Sequence, residues 1–73
     1  GGVEMMEIEI VAKSKVTGRP LHKINLPKEI LVGGTVEEGN IIFATGDTVL
    51  TPGQKVIIIF KSEAVSVVEK FFQ

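Results

Sequence analysis

The segment Lys55–Lys61, KVIIIFK, constrains this chain more than any other. Between its two lysines lie only apolar side chains, from Val56 to Phe60. Successive side chains of a strand point to opposite faces, so Val56, Ile58 and Phe60 face one way and Ile57 and Ile59 the other. The run is rich in β-branched residues, which favours a strand. It is far shorter than the roughly 18 apolar residues of a membrane-spanning helix. A strand that is apolar on both sides asks for cover on both sides. The chain has only 73 residues with which to supply it. A domain of that size buries about 60% of the surface its unfolded form exposes. Something beyond these residues is therefore expected to cover part of the sheet.

The other elements follow from pattern. From Val3 to Val11 the residues Met6, Ile8 and Ile10 alternate with Glu7 and Glu9, which predicts a strand with one wet face. Lys13, Ser14, Lys15, Thr17 and Gly18 read as a polar loop. Pro20 suits the first position of a short helix, Leu21 and Ile24 share one face of it, and Pro27 ends it. Ile30 to Glu37 reads as a second strand with Ile30, Val32 and Val36 on one face, interrupted by Gly33-Gly34 as a bulge. Gly39-Asn40 signals a hairpin turn into a third strand, Ile41 to Ala44. Thr45-Gly46-Asp47 is a further break, and Pro52-Gly53 fits the centre of a type II turn before the fourth strand. Ser62 reads as the N-cap of a closing helix, with Ala64, Val68, Phe71 and Phe72 on its apolar stripe. The order predicts an α+β fold: a two-layer β-α-β-β-β-α domain with a mainly antiparallel sheet. Residues 3–73 are read as that single domain, and Gly1-Gly2 as a cloning scar or trimmed linker.

The residues capable of chemistry do not group. With no Cys and one His, neither a thiolate nor a histidine metal site can be built, and no metal site is expected. Ser14, Ser62 and Ser66 have no candidate base beyond His22, so surface serines, and not a catalytic residue or an enzyme, are the reading. Gly33-Gly34 lacks the spacing of a phosphate loop. Glu4, Glu7 and Glu9 read as a solvated strand face, with a weak cation site as the alternative. A net charge of −1 argues against nucleic acid as a partner.

One stretch is charge-asymmetric: Lys13, Lys15, Arg19, Lys23 and Lys28 precede the next acid, Glu29, with His22 and Asn25 among them. Around a helix N-terminus such charges would suit a phosphate-bearing ligand, with Arg19, His22, Lys23, Asn25 and Lys28 as its binding residues. The competing reading is a solvated face beside an acidic partner, the ordinary fate of charge runs. Arg19 alone offers a bidentate fork. On the sheet, Ile57 and Ile59, with Leu31 or Phe43 beside them, are the candidate homodimer interface.

GRPLHKINLP (Gly18–Pro27), ATGDTVLTPGQKVIIIF (Ala44–Phe60) and the final VEKFFQ together resemble the TrkA C-terminal, or RCK C-terminal, domains of potassium-conductance regulators. The resemblance implies the same strand-helix-three-strand-helix fold. It implies a regulatory and dimerisation module, a cytoplasmic homodimer at the inner face of the cell membrane, and a potassium transporter or channel as partner without membrane insertion. It implies control of transport through subunit geometry. It places NAD(H) or ATP only in an upstream Rossmann domain, whose fingerprint this chain lacks, so no cofactor is expected here. Some members bind cyclic di-AMP after the first helix; here Pro27 interrupts that stretch. Where the family often has Asp after the Pro-Gly turn, this chain has Gln54. The alternatives are a stand-alone nucleotide sensor, or a cytoplasmic domain fused to another cation antiporter or carrier.

Overall fold

The computed structural model describes residues 1–72; Gln73, the last residue of the VEKFFQ motif, lies outside the described residues. Four strands form one antiparallel sheet: β1 (Val3–Glu9), β2 (Ile30–Glu37), β3 (Asn40–Phe43) and β4 (Lys55–Lys61), in the spatial order β1-β4-β2-β3. The doubly apolar KVIIIFK is thus a central strand, paired on both edges. A 3₁₀ turn at Ser62–Ala64 leads into the helix α1 (Val65–Phe72). The molecule is an α+β domain, as the element order predicts.

One face of the sheet is closed. Val56, Ile58 and Phe60 of β4 are buried with Ile8 of β1 and Ile30 and Val32 of β2. Against them lie Ala64, Val68 and Phe72, and also Ile10, Val16, Ile24 and Leu50 from irregular chain. Helix therefore supplies only part of the cover. The rest is loop, strapped down by backbone bonds: Ile10 N–H donates to the Gln54 carbonyl (2.8 Å), Gly53 N–H to Ile10 (2.7 Å) and Gly18 N–H to Leu50 (3.1 Å).

Several local expectations need correction. The first helix is a single 3₁₀ turn, Leu21–Lys23, with Pro20 preceding it as the cap residue. Leu26 and Pro27 leave no room for another turn before β2. Ser62 caps nothing: Lys61 occupies the cap position, and Ser62 N–H donates to the Gly2 carbonyl at 2.9 Å. The hairpin loop is Glu38-Gly39, with Glu37 paired to Asn40 and φ values of 51° and 81°, as a type I′ turn requires. The bulge lies at Gly33-Gly34, where the register with β4 slips between Val32 and Gly34. The extra residue inverts the alternation beyond it. Thr35 turns into the core, and Val36 falls on the face opposite Ile30 and Val32.

Gly34 is required by close approach. A Cβ there would sit 2.5 Å from the Ile42 carbonyl oxygen and 3.0 Å from Ile41 Cγ2. The Pro52-Gly53 turn forms as read, with Gly53 at φ +87° and Gln54 N–H donating to the Thr51 carbonyl. Gln54 Oε1 accepts the Thr51 N–H at 3.1 Å, so the amide does the acceptor's work of a carboxylate at this position.

Candidate functional site

Two surfaces stand out, and the sheet's second face is the larger. Cross-strand partners share a face, so Met5, Ile59 and Leu31 form one row across it. Ile57, the Gly33-Gly34 bulge and Phe43 form the next, and Lys55, Val36 and Ile41 the one after. Phe43 is 82% exposed, Met5 70% and Leu31 61%. Ile57 and Ile59 are half-buried among these neighbours. The structure therefore brings Ile57, Ile59, Leu31 and Phe43 together on one uncovered apolar face. Four charges share this face toward its β1 edge and its two ends: Glu7 beside Ile57, Glu9 beside Lys55, and Lys61 beside Val3.

The second surface is a groove of about 320 Å³ between the 3₁₀ turn and the chain leaving β3. Leu21, Leu26, Ile30 and Val32 form its apolar wall, and Ala44, Thr45 and Gly46 its other side. Leu21 N–H donates to the Thr48 carbonyl and His22 N–H to that of Gly46, both at 2.9 Å, which fixes turn against loop. A Cβ on Gly46 would lie 3.3 Å from His22 Cβ, so the glycine permits the approach. The loop pins itself: Thr45 N–H donates to Thr48 Oγ1 at 2.9 Å and Asp47 N–H to Thr45 Oγ1 at 3.2 Å.

His22 is the one residue of the basic stretch that lines this groove. Its Nε2 lies 3.7 Å from Asp47 Oδ1, with the two side chains 50% and 96% exposed, a solvent-screened pair. Arg19, Lys23, Asn25 and Lys28 are exposed around the turn but do not line it. A three-residue 3₁₀ turn supplies no macrodipole of consequence, so no helix N-terminus holds these charges together. Lys13 and Lys15 belong elsewhere. Ser14 Oγ donates to the Phe71 carbonyl at 2.7 Å, Lys15 N–H donates to the same oxygen at 3.2 Å, and Lys15 Nζ stands 5.9 Å from the Phe71 ring centre. Lys15 sits at the C-terminal end of α1, where positive charge is favourable.

Among the described residues no three His, Cys, Asp or Glu side chains converge as a metal site would require. No described helix is long and apolar enough to cross a membrane. The sequence reading did not find the groove walls, Leu21, Leu26 and Ala44–Gly46. The readable signal was a lone His between two leucines, followed at a distance by a Gly-centred break. What joins them is a backbone bond that no local pattern encodes.

Comparison with known proteins gives the lineage. The chain is 33% identical over 72 residues to a Trk system potassium uptake protein TrkA homolog of Archaeoglobus fulgidus, covering 99% of this chain and 16% of the relative. It is 37% identical over 70 residues to TrkA homolog 2 of Methanosarcina mazei, covering 96% and 16%. It is 33% identical over 73 residues to the Pyrococcus abyssi TrkA homolog, covering 99% and 32%. The chain thus spans between about one sixth and one third of the relatives it matches. A solved structure described as "Structure of RCK domain with cda" has the same fold, with a TM-score of 0.75 at 20% identity over 94% of this chain and 97% of that one. The TrkA-C domain model matches residues 5–73, nearly the whole length read as one domain, and with that match the chain belongs to the TrkA-C domain family.

Proposed function

We propose that this chain is a regulatory and dimerisation module of a potassium-uptake regulator, working on the cytoplasmic side of the membrane beside a potassium transporter or channel. The observation that carries the reading is a TrkA-C domain that keeps the middle of one sheet face, Met5, Leu31, Phe43, Ile57 and Ile59, apolar and uncovered. Such a face suits a partner surface better than it suits a reaction. In this reading two copies join through Ile57, Ile59 and their neighbours. A change elsewhere in the parent protein would reach the transporter as a rigid-body shift of the joined pair. NAD(H) or ATP would act only in an upstream nucleotide-binding domain.

Deleting residues 3–73 from the parent should alter potassium uptake or its control and leave nucleotide binding upstream largely intact. The opposite result, lost nucleotide binding with regulated uptake unchanged, would overturn the division of roles.

The groove beside His22 supports a second reading, ligand sensing, since its size lies at the low end of small-molecule sites. ATP, NADH and cyclic di-AMP are the probes, with thermal denaturation as the readout. A site in use would gain about 2.7 kcal/mol at a ligand concentration 100 times Kd. We expect little or no shift from the 73-residue chain alone. A large shift that Arg19→Ala or His22→Ala abolishes would establish the sensor instead.

A further inference from the structure

We propose that the free edge of β3 takes up a strand from a partner protein: a short extended segment, apolar at its centre with Lys or Arg at its ends, pairing antiparallel with residues 41–43. This site lies at the border of the sheet and stands apart from the pairing of two copies through the open face.

β3 ends the sheet, with β2 on one side only. Ala44 N–H donates to the Gly33 carbonyl, and bonded pairs alternate along an antiparallel ladder. Ile42, opposite Thr35, therefore bonds inward, while Ile41 and Phe43 turn their N–H and C=O groups to the free edge. Among the described residues no backbone bond from outside the sheet reaches either of them. Two donors and two acceptors thus stand in line at strand spacing, the arrangement that an added strand pairs. Ile41, Ile42 and Phe43 are 55%, 50% and 82% exposed, so that strand would find apolar surface on both faces. The other edge of the sheet differs. On β1 the outward groups belong to Val3, Met5, Glu7 and Glu9, since Ile10 N–H bonds to Gln54. Pairing there would desolvate Glu4, Glu7 and Glu9, and such charges are the usual guard of an edge strand. β3 carries no charge.

Charge selects the occupant. Glu37 and Glu38 stand at the hairpin end of β3. Asp47 follows its other end, 96% exposed, with His22 Nε2 at 3.7 Å. No Lys, Arg or His lies between Glu29 and Lys55. A second copy pairing antiparallel about Ile42 would bring Glu37 and Glu38 of each chain to the end where the other holds Asp47, acid beside acid. A segment with basic ends meets a carboxylate at each end instead.

The test is amide hydrogen exchange by NMR on the 73-residue chain, with the acetylated and amidated peptide Lys-Val-Thr-Val-Lys as probe. Its valines would sit opposite Phe43 and Ile41 and its lysines toward the two acidic ends. With peptide at ten times its Kd, exchange at Ile41 and Phe43 should slow about tenfold, whereas Ile42 is already held by Thr35. Methylating both valine nitrogens removes the donors that face β3 and should abolish the effect. Ile41→Pro removes an outward N–H where an edge strand tolerates proline, and should raise the peptide Kd about tenfold. The peptide Glu-Val-Thr-Val-Glu should bind about tenfold more weakly, a gap that added salt narrows. Ile59→Glu, which breaks the open face, should leave the peptide Kd unchanged, so edge pairing and dimerisation fail separately. No slowing with the lysine peptide, or equal binding by its methylated form, would overturn the edge site. Equal binding by the glutamate peptide would overturn the basic partner. Protection of Ile41 and Phe43 that grows with protein concentration alone would give the edge to a second copy instead.

Discussion

Ser14 ties the first loop to the last helix. Its hydroxyl is buried and donates to the Phe71 carbonyl, one of the helix-end acceptors that has no partner within the helix. Lys15 N–H donates to the same oxygen, so removing the hydroxyl leaves that acceptor partly satisfied. Ser14→Ala should therefore cost about 1 kcal/mol, read as a lower denaturation midpoint with an unchanged m-value. Gly34 is less forgiving. A methyl group there must push back the Ile42 carbonyl, and Gly34→Ala should cost about 1–3 kcal/mol as an overpacked site does. One residue earlier the same change meets only ordinary contacts, and Gly33→Ala should leave protomer stability within about 1 kcal/mol. Chemical denaturation of the two variants side by side measures the contrast. The sequence already marked the pair as a bulge; which glycine is indispensable depends on where β3 crosses.

Among the elements, α1 covers the sheet through a few contacts of large effect. Its buried residues are Val68 and Phe72, with Ala64 just before it. Phe72 is fully buried. Phe72→Ala should cost about 3–5 kcal/mol. For a chain of 73 residues that is a large share of a total of roughly 4–11 kcal/mol. Thermal denaturation by circular dichroism should find the variant largely unfolded near physiological temperature. Val65→Ala, on the wet side of the helix, should change little. The 3.6-residue stripe finds this helix and its end near Phe72, but its first turn after Ser62 is 3₁₀, and the α-helix begins only at Val65. The same logic failed at Leu21–Ile24, because two apolar residues three apart fit one 3₁₀ turn as well as an α-helix. There the chain is held by hydrogen bonds to Gly46 and Thr48 rather than by its own ladder.

For the whole molecule, the two faces of β4 make opposite predictions. Ile58 is fully buried, and Ile58→Glu should unfold the protomer. Ile59 lies on the open face. Ile59→Glu, or Ile57→Glu, should keep the circular dichroism of the fold and shift the chain toward monomer in light scattering. If a dimer forms, its Tm should also rise with protein concentration, since association stabilises the folded state by mass action. A monomer with a concentration-independent Tm would refute the interface.

The sequence by itself determined what local physics can encode. KVIIIFK is a central strand because five apolar residues in a row can be satisfied only between neighbours. β1, the Pro52-Gly53 turn and the closing helix follow from period, from a positive φ and from an apolar stripe. Tertiary structure decided what depends on contacts between distant segments. Loops through Val16 and Leu50 do much of the covering that helices were expected to do, because backbone bonds to remote carbonyls hold them on the sheet. Val36 faces away from Ile30 because one inserted glycine inverts a period of two. His22 meets Gly46 because the 3₁₀ turn and the loop after β3 share hydrogen bonds across two dozen residues of chain. Alternation can state that Ile57 and Ile59 share a face; only strand order places Met5, Leu31 and Phe43 beside them and leaves that face open.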